Sequence, residues 1–408
     1  MTRCRACDTE LTHVFADLGR SPLANSYRTH EQLNEPEQTL PLRVFVCEQC
    51  KLVQLPECEK PENIFSEYAY FSSCAPSWVG HMGRYAAAMT LKLGLTAQSL
   101  VVDIGSNDGY LLQHFKTLGT KIYGVDPARN VAQVALEKAI PTYVGFFDHK
   151  MAMQLLEAHG PADLMNATNV LAHVPDIHYF VAGFHHLLAK EGTITFEFPW
   201  LVNLIREKQF DTIYHEHYSY LSLLALEPIF RVNKLRVYDV DQIPTHGGSL
   251  RLHVCHTGAS IKEHMMVQKT REDEHVAGLH NLETYTDFAA TVPQVKYNLL
   301  KFLIRQKELG KKVVGFGAPA KGVTLLNYCG IGPELLEYTV DATPAKQGKY
   351  IPGVQIPIYP EQMLFGDRPD FVLILPWNLK EPIMQKANCI REWGGRFVTA
   401  IPKLQITH

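Results

Sequence analysis

Two pairs of cysteines, each with two residues between its members, constrain the fold of this chain more than any other feature. Cys4-x-x-Cys7 and Cys47-x-x-Cys50 belong to a group of six cysteines, out of nine, within the first 74 residues. A two-residue spacer lets a tight turn present two thiolates to one ion, and two such turns complete the tetrahedral sulfur site typical of structural Zn2+. A redox role is the alternative, but that chemistry expects one pair beside a βαβ unit. We therefore predict a zinc site, and buried free thiols at the remaining positions, Cys58, Cys74, Cys255, Cys329 and Cys389.

The composition is that of an ordinary globular protein. The chain has 408 residues, which favours two to three domains, and its formal net charge is −3. Residues 1–60 carry seven Lys/Arg and nine Asp/Glu, so the zinc segment has no basic stripe for nucleic acid. No apolar run approaches the ~20 residues that span a bilayer, and no signal-peptide pattern precedes Cys4. We expect a cytoplasmic protein that binds neither nucleic acid nor membrane.

A strand, a glycine turn and a helix begin at residue 99 and open a series of alternating strands and helices. The first strand contains Asp103 and leads into Gly105-Ser-Asn-Asp-Gly109, and a second strand over Lys121–Asp126 ends in another carboxylate. Further strand-like runs follow at 141–146, 163–169 and 191–198. This alternation predicts a doubly wound, mostly parallel sheet that binds its ligand at the carboxyl ends of the strands.

The glycine turn favours S-adenosylmethionine as that ligand. A dinucleotide fingerprint uses three glycines so that the backbone can approach a pyrophosphate, whereas only Gly105 and Gly109 are present here. A cofactor without phosphate suits the pattern better, because Asp103 can face its ammonium group and Asp126 can accept from both ribose hydroxyls. An NAD-type site and a turn without ligand are the alternatives, since short glycine motifs match by chance.

Residues 210–222 concentrate titratable side chains where the first sheet is expected to end. The run Tyr214-His-Glu216-His217-Tyr218 is not H-E-x-x-H, which excludes the zinc-protease pattern. If the segment is helical, Tyr214, His217 and Tyr218 share one face. Histidine is the natural general base at neutral pH, and tyrosine hydroxyls can donate to a developing oxyanion. The alternative is that these residues pack between domains.

Two other polar clusters can meet this segment. His173 follows a predicted strand and so lies on the ligand-binding rim of the sheet. Thr245-His246-Gly247-Gly-Ser249 forms a glycine turn before another strand-like run. Neither pattern specifies a ligand by itself.

The last third of the chain predicts a second α/β domain. After a helical stretch over 282–310 comes another strand, turn and helix, with Gly315-Phe-Gly-Ala-Pro-Ala-Lys321-Gly at the turn. Glycine-rich backbone and one lysine suit a phosphate, although the lysine stands in the wrong order for a P-loop. Lys346 and Lys349 add a basic loop after the next predicted strand. We expect a Rossmann-like domain, with a packing domain that binds nothing as the alternative.

These motifs, in this order, resemble the deoxysugar C-methyltransferases, three-domain enzymes that methylate C-3 of nucleotide-linked 4-keto-6-deoxysugars. The resemblance spans nearly the whole chain and rests on the two cysteine pairs and on seven further segments: Glu67-Tyr-Ala-Tyr-Phe-Ser-Ser73, Asp103-Ile-Gly-Ser-Asn-Asp-Gly109, Asn169-Val-Leu-Ala-His-Val-Pro-Asp176, Tyr214-His-Glu-His217, Thr245-His-Gly-Gly-Ser249, Gly315-Phe-Gly-Ala-Pro-Ala-Lys-Gly322 and Pro344-Ala-Lys-Gln-Gly348. Two positions depart from the family pattern, with Tyr218 in place of Phe and Thr343 in place of Ser. Both departures bear on the identity of the substrate.

The resemblance implies an α/β protein with a small N-terminal zinc-binding domain over 1–75, a central Rossmann-like class I S-adenosylmethionine-methyltransferase domain over 76–295 and a C-terminal Rossmann-like α/β domain over 296–408. It implies that zinc is bound by Cys4, Cys7, Cys47 and Cys50. It assigns the cofactor to Asp103, Gly105, Asn107, Gly109, Asp126, Asn169, Tyr70 and Ser73. It assigns the substrate, a dTDP- or GDP-4-keto-6-deoxyhexose, to His246, Gly247, Ser249, Lys321, Lys346 and Lys349.

The resemblance also implies a reaction. A 4-ketone acidifies the hydrogen on C-3, so a base can form an enolate that attacks the sulfonium methyl. The family pattern then assigns His217 as base, Glu216 as its orienter or a substrate anchor, and three donors to the oxyanion at O4, namely Tyr68, His173 and Tyr214. Zinc stays outside the chemistry, since a closed four-cysteine site leaves no position for substrate.

Two expectations complete the sequence analysis. The alternative function is an NAD-dependent nucleotide-sugar oxidoreductase, because two Rossmann-like units are predicted. For the oligomeric state we expect a monomer or a weak homodimer.

Overall fold

The computed structural model describes residues 2–68 and 70–407, and the chain divides into two compact units whose segments alternate along the sequence. Unit 1 consists of Met1–Leu11, Cys47–Leu201 and Tyr218–His280, and unit 2 of Thr12–Val46, Val202–His217 and Asn281–His408. The three domains expected from the sequence, 1–75, 76–295 and 296–408, have other boundaries than these units. The three-domain division stays a prediction.

Strands and helices follow one another through both units. In chain order the strands are β1 His13–Ser21, β2 Leu40–Val46, β3 Val53–Gln54, β4 Leu100–Ile104, β5 Lys121–Asp126, β6 Thr142–Val144, β7 Ala162–Thr168, β8 Leu188–Pro199, β9 Ser219–Tyr220, β10 Leu235–Ile243, β11 Ser249–His256, β12 Val313–Phe316, β13 Thr339–Val340, β14 Ile358–Tyr359, β15 Phe371–Ile374, β16 Arg396–Thr399 and β17 Gln405–Thr407. The helices are α1 Pro61–Phe65, α2 Pro76–Leu93, α3 Leu112–Thr117, α4 Arg129–Glu137, α5 His149–His159, α6 Ile177–Leu187, α7 Leu201–Arg206, α8 Leu223–Val232, α9 Met265–Val276, α10 Leu282–Glu308, α11 Ala320–Cys329, α12 Met363–Asp367 and α13 Lys380–Lys386.

The large sheet of unit 1 is doubly wound. Its strand order is β10-β11-β8-β7-β4-β5-β6, and β4 pairs in parallel with both β5 and β7. Strands β6 and β8 extend this parallel core, and β11 and β10 continue it with antiparallel pairing. The winding direction reverses between β4 and β7, and in open α/β sheets such a switch point binds the ligand.

Local sequence explains how the elements of unit 1 form. Every residue of β4 is buried, as expected for a parallel strand that is covered on both faces. Asp148, Asp176 and Ser222 begin α5, α6 and α8, because each side chain accepts a hydrogen bond from a backbone N–H of the first turn. The core around α2 and α3 consists of buried side chains, among them Met82, Tyr85, Val101, Phe115 and Leu164.

Unit 2 contains a second, smaller α/β sheet. Its order is β14-β13-β12-β15-β16-β17, with parallel pairing from β14 to β16 and an antiparallel β17 at the edge. Its winding direction reverses between β12 and β15. Strands β1 and β2 pair antiparallel in the same unit, and Phe15 of β1 stacks on Phe288 of α10 with ring centroids 4.5 Å apart.

The predicted α/β class with two Rossmann-like sheets is confirmed. The strand over Lys121–Asp126 has the expected bounds, and the helical stretch over 282–310 is α10. Within residues 2–68 and 70–407, no helix combines the length and apolar character that a membrane span requires.

Candidate active site

The N-terminal cysteines form a four-thiol cluster in unit 1. The Sγ atoms of Cys4, Cys7, Cys47 and Cys50 all lie within 4.8 Å of one another, and the pairs Cys4–Cys50 and Cys7–Cys47 are 3.5 Å apart. A tetrahedron with Zn–S bonds of about 2.3 Å has sulfur–sulfur edges of roughly 3.8 Å, so one ion fits among these atoms. Gln54 Nε2 donates to Cys4 Sγ at 3.0 Å, which suits a thiolate ligand. The expected structural zinc ion therefore fits this chain.

The remaining cysteines depart in part from the prediction of buried thiols. Cys255 and Cys329 are buried, whereas Cys58 and Cys389 are half-buried and Cys74 is exposed. The prediction is wrong for Cys74, because this residue lies in the short connection before α2, where no core covers it. In the part of the chain that the structure describes, the four-cysteine cluster is the only group of three or more potential metal ligands.

The turn after β4 has the properties of a cofactor site. Gly105 and Gly109 adopt positive φ angles of 69° and 79°. A Cβ at Gly105 would overlap the side chain of Val170, so only glycine fits there. Asp103, at the end of β4, is fully buried, and its Oδ1 accepts from Asn166 Nδ2 at 2.7 Å. Among the described residues its Oδ2 has no hydrogen-bond partner.

Burial also changes the protonation of this carboxyl group. It raises the pKa of Asp103 to about 7, a value that the hydrogen bond from Asn166 moderates. A nearby cation stabilises the ionised form of such a buried carboxyl group. The ammonium group of S-adenosylmethionine supplies such a charge, so the cofactor expected from the sequence fits this residue.

Asp126 holds the same turn from the end of β5. Its Oδ2 accepts from Asn107 N at 2.8 Å and its Oδ1 from Ala128 N at 2.9 Å. Burial raises its pKa to about 6. Each carboxylate oxygen has a further lone pair, so hydrogen bonds from two ribose hydroxyls are compatible with these contacts.

Asn169 follows β7, on the other side of the switch point. Its φ angle is +57°, and its buried Oδ1 has no hydrogen-bond partner among the described residues. Its Nδ2 lies 3.2 Å from His246 Nε2. Two buried acceptor oxygens thus lie at the carboxyl ends of adjacent parallel strands, that of Asp103 near the end of β4 and that of Asn169 just after β7, as a ligand with several donors requires.

Asparagine side chains hold the backbone at Tyr68 and between Tyr70 and Ser72. Asn130 donates to Tyr68 O at 2.8 Å and accepts from Tyr68 N at 3.0 Å. Asn107 likewise donates to Tyr70 O at 3.0 Å and accepts from Ser72 N at 2.9 Å. The backbone is therefore fixed at Tyr68, Tyr70 and Ser72, while Tyr70 remains 49% exposed.

Ser73 is bound to the glycine turn by its own side chain. Its hydroxyl donates to Asp108 Oδ2, and its N–H donates to the same oxygen at 3.2 Å. Lys138 Nζ donates to Ser73 Oγ at 2.9 Å. The sequence did not indicate Asp108, Asn130 or Lys138 as site residues, because their partners are distant in the sequence.

The turn before β11 is strained. His246 has a φ angle of +54°, and Gly247 and Gly248 follow with 89° and 104°. Ser249 Oγ donates to Thr245 O at 2.9 Å and closes the turn. Non-glycine residues with positive φ are concentrated at functional sites, and the contact between His246 and Asn169 places this turn beside a predicted cofactor residue.

His173 ends the short 3-10 turn Leu171–His173. Its ring packs edge-on against Phe65, with centroids 5.5 Å apart. Tyr218 N donates to Ala172 O at 2.8 Å and connects this turn to the start of β9. His173 lies four residues beyond Asn169, at the carboxyl edge of the sheet.

The segment from Phe210 to His217 belongs to unit 2 and is not α-helical. A 3-10 turn covers Phe210–Thr212, and a second turn brings His217 N to within 2.9 Å of Tyr214 O. The rings of Tyr214 and His217 still pack together, with centroids 4.0 Å apart. Thr324 Oγ1 donates to Ile213 O at 2.9 Å and fixes the segment on α11.

The hydrogen bond of His217 determines its tautomer. Nδ1 lies 2.8 Å from Thr212 O. Because a carbonyl oxygen only accepts, Nδ1 carries the proton of the neutral ring and Nε2 carries the lone pair. His217 thus has the form that a general base requires.

Glu216 is buried and has a partner that the sequence did not indicate. Its exposed fraction is 3%, and Asn25 Nδ2 donates to its Oε1 at 2.6 Å. These residues lie 191 positions apart, so no local pattern connects them.

Lys321 lies near the start of α11, beside a buried carboxylate. Its Nζ donates to Asn378 Oδ1 at 2.9 Å and lies 4.6 Å from the centroid of the Trp377 ring. Trp377 Nε1 in turn donates to Asp211 Oδ2 at 2.7 Å. Burial raises the pKa of Asp211 to about 6, and the charge of Lys321 opposes that shift.

Lys346 is held beside the turn after β12. Its Nζ donates to Ala318 O at 2.8 Å and lies 5.1 Å from the ring centroid of Tyr27. Burial lowers its pKa, and Asp341 opposes that shift. Lys349 lies three residues further on, where its N–H donates to Lys346 O at 3.1 Å.

The candidate catalytic residues are distributed over both units. Tyr68 and His173 belong to unit 1, and Tyr214, Glu216 and His217 to unit 2. Their common reaction centre stays a prediction.

Comparison with known proteins identifies the family of the chain. Three family models match in order: "Putative zinc binding domain" over residues 4–65, "Methyltransferase domain" over 78–240 and "C-methyltransferase C-terminal domain" over 244–402. The C-methyltransferase NovU of Streptomyces niveus is 36% identical over 403 residues, which cover 99% of this chain and 96% of that protein. The oxidoreductase alternative finds no support in these matches.

Solved structures match less than half of the chain. A SAM-dependent methyltransferase from Anabaena variabilis has a TM-score of 0.37 and 11% identity, covering 43% of this chain and 84% of that chain. Magnesium protoporphyrin IX methyltransferase from Synechocystis, solved with bound SAH, has a TM-score of 0.34 and 17% identity with the same coverage. The sequence relationship to NovU is closer and extends over almost the full length of this chain and of NovU. On that basis the chain belongs to the family of C-methyltransferases with an N-terminal zinc-binding domain, and it is an S-adenosylmethionine-dependent enzyme.

Proposed function

We propose that this enzyme methylates C-3 of a nucleotide-linked 4-keto-6-deoxyhexose, with His217 as the base. The single observation that carries the proposal is the 2.8 Å contact between His217 Nδ1 and Thr212 O. It fixes the tautomer with a lone pair on Nε2. The C–H bond on the carbon next to a ketone is acidic enough for a neutral imidazole to remove its proton.

The proposed reaction begins with proton transfer. His217 Nε2 takes the hydrogen from C-3, and the electron pair of the broken C–H bond moves into an enolate with its charge on O4. S-adenosylmethionine would supply an electrophilic methyl group for the resulting carbon nucleophile: as the new C–C bond forms, the S–CH3 bond would break and leave its electron pair on the sulfur of S-adenosylhomocysteine. A base in this position typically contributes 10²–10⁴-fold to the rate.

Three further side chains are proposed to stabilise the charge that develops on O4. We assign this role to Tyr68, His173 and Tyr214, whose hydroxyl or ring N–H groups can donate to an oxyanion. Removing one such donor typically costs ~10²–10³-fold in rate. Glu216, oriented by Asn25, serves as the orienter of the base or as an anchor for a sugar hydroxyl.

Basic residues in unit 2 support a nucleotide diphosphate as the carrier of the sugar. Lys321 and Lys346 lie near the carboxyl ends of the strands at the β12–β15 switch point, and Lys349 follows in the adjacent loop. Their charges complement a dTDP or GDP group, and the order of family motifs supports the same substrate class. His246, Gly247 and Ser249 are proposed to contact the sugar.

Product analysis tests the substrate. We expect labelled S-adenosylmethionine to transfer its methyl group to a member of a panel of dTDP- and GDP-4-keto-6-deoxyhexoses, and mass spectrometry to place the label on C-3. Label on oxygen, or on no member of the panel, would contradict the proposal.

Hydrogen exchange tests the base. We expect His217→Asn to lower the exchange of the C-3 hydrogen with deuterated water by 10²–10⁴-fold while S-adenosylmethionine binds within twofold of wild type. The exposed His264 provides a control, since His264→Asn is expected to leave exchange unchanged. Exchange at the wild-type rate in His217→Asn would exclude His217 as the base.

A further inference from the structure

Arg5 lies inside the first zinc-binding turn, between two of the metal ligands, yet it contacts residues far along the chain. Its backbone N–H and its Nε both donate to Gln54 Oε1, at 2.9 and 3.4 Å. Its Nη2 donates to Leu55 O. Gln54 also donates to Cys4 Sγ. The guanidinium group is therefore held against the zinc site by a network that includes a zinc ligand.

The same guanidinium contacts the loop that follows His173. Arg5 Nη1 lies 3.2 Å from Pro175 O and 3.5 Å from Val174 O. A second contact supports this one, because His178 Nε2 lies 2.8 Å from Ala6 O in the same zinc-binding turn. The segment from Val174 to His178, which ends in the first turn of α6, is thus attached to the zinc-binding turn at both of its ends.

Arg5 also supports the residue that precedes His173. Its guanidinium carbon lies 5.4 Å from the ring centroid of Tyr218, at a distance typical of cation–π contacts. The Tyr218 N–H donates to Ala172 O at 2.8 Å. Arg5 therefore acts on the backbone immediately before and immediately after His173.

We propose that Arg5 is a positioning residue, which couples the folded zinc-binding turn to the placement of the His173 side chain. The inference rests on the proposed role of His173 at O4. An arginine suits this task, because its planar group directs several N–H donors in fixed directions, here towards Leu55 O and Pro175 O. Zinc then contributes to turnover by ordering this turn, without contacting substrate.

Substitution of Arg5 tests the proposal on the full-length zinc-loaded enzyme. We expect Arg5→Met to lower kcat by about 10²-fold, because a displacement of about 1 Å at a reacting group costs this much. The Kd for S-adenosylmethionine and the zinc content are expected to stay within twofold of wild type. Arg3→Met is the matched control, since Arg3 lies in the same segment but is exposed, and its Nε pairs with the exposed Asp8 at 3.1 Å.

Two further variants separate positioning from a loss of folding. Arg5→Lys retains the charge and most of the side-chain stem but lacks the planar guanidinium group, so we expect its kcat to lie below that of wild type and above that of folded Arg5→Met. Where Arg5→Met fails to fold, the kcat of Arg5→Lys is compared with wild type alone. Arg5→Ala is expected to regain part of its kcat when guanidinium ion is added at millimolar concentration. A variant that is merely unfolded would gain nothing from a denaturing ion.

The outcomes distinguish this inference from the proposed function. Wild-type kcat in zinc-loaded Arg5→Met, or in Arg5→Lys where Arg5→Met does not fold, overturns the positioning role. If His173→Ala leaves kcat unchanged, the proposed role of His173 fails, and the positioning role that rests on it fails as well. If His173→Ala lowers kcat while the Arg5 variants match wild type, only the positioning role fails.

Discussion

The glycine turns of the two Rossmann-like sheets are built alike but differ in charge. In each, the first strand leads into a glycine with positive φ, 69° at Gly105 and 85° at Gly317. In each, an aspartate that ends or directly follows the next strand accepts two backbone hydrogen bonds. Asp126 accepts from Asn107 N and Ala128 N at 2.8 and 2.9 Å.

The second turn repeats this arrangement at similar distances, although its first donor lies one residue after the glycine instead of two. Asp341 accepts from Ala318 N at 2.7 Å and from Thr343 N at 2.8 Å. The remaining charges differ, because the unit 1 turn contains buried Asp103 whereas Lys321 and Lys346 lie at the unit 2 turn. The backbone arrangement therefore shapes both turns alike, and the difference lies in the charge of the side chains around them.

The largest expected effect comes from adding a methyl group to either glycine. An Ala at Gly105 would overlap Val170, and one at Gly317 would lie 2.6 Å from Pro376 Cδ. Strain at positive φ costs about 1–2 kcal/mol, and overpacking adds about 1–3 kcal/mol. We expect both substitutions to lower the free energy of unfolding by roughly 2–5 kcal/mol in denaturant titrations.

A control glycine separates backbone strain from steric overlap, and cofactor binding distinguishes the two turns. Gly119 has a φ of 85° with no atom within 4 Å of an added Cβ, so Gly119→Ala is expected to show the strain alone. Only Gly105→Ala is expected to weaken S-adenosylmethionine binding. Equal weakening by Gly317→Ala would show that the two turns do not act separately.

A smaller effect is expected from replacing the two aspartates. Asn retains one acceptor oxygen, but its NH2 group faces the second backbone N–H. Asp126→Asn and Asp341→Asn are therefore each expected to cost about 1–3 kcal/mol of stability. Calorimetry with S-adenosylmethionine separates them, since we expect lower affinity for Asp126→Asn only. Unchanged affinity in Asp126→Asn would remove this residue from the cofactor site.

The smallest effect is the pH dependence of cofactor binding. Because burial raises the pKa of Asp103 from 3.8 to about 7, the folded chain binds this proton more tightly than the unfolded chain. The contribution of Asp103 to the free energy of unfolding therefore falls as the pH rises from about 4 to about 7. Deprotonation creates the carboxylate that an ammonium group prefers, so affinity for S-adenosylmethionine is expected to rise roughly eightfold between pH 6 and 7.5.

Substitution of Asp103 provides the check. Asp103→Asn cannot ionise and is expected to bind more weakly with a shallower pH dependence, leaving the smaller contribution of Asp126, whose pKa is about 6. The same slope in wild type and Asp103→Asn would assign the pH dependence to another group.

Features that depend on neighbouring residues could be predicted from the sequence. The spacing of Cys4 and Cys7 reports directly on the geometry of a metal site. The strand Lys121–Asp126 was predicted with its observed bounds, because its apolar residues and terminal carboxylate are local signals. The same holds for α10, where a long helical pattern ends near Gly310.

Features that depend on distant residues could not be predicted. The segment around Tyr214 has helical spacing, but Thr324 and the ring of His217 bind its carbonyl oxygens and impose turns. No pattern in the sequence around Asn25 or around Glu216 indicates the hydrogen bond between them. Such contacts become visible only when the fold brings the segments together.

The alternation of segments between the two units has a consequence for synthesis of the protein. Unit 2 begins with Thr12–Val46 but includes Asn281–His408, so its first strands leave the ribosome long before α10, on which β1 packs. A chain that stops before residue 281 contains all segments of unit 1, but of unit 2 only Thr12–Val46 and Val202–His217. Premature termination in the last third of the gene is therefore expected to yield a product with exposed apolar strands, a target for proteolysis, rather than a shortened enzyme with partial activity.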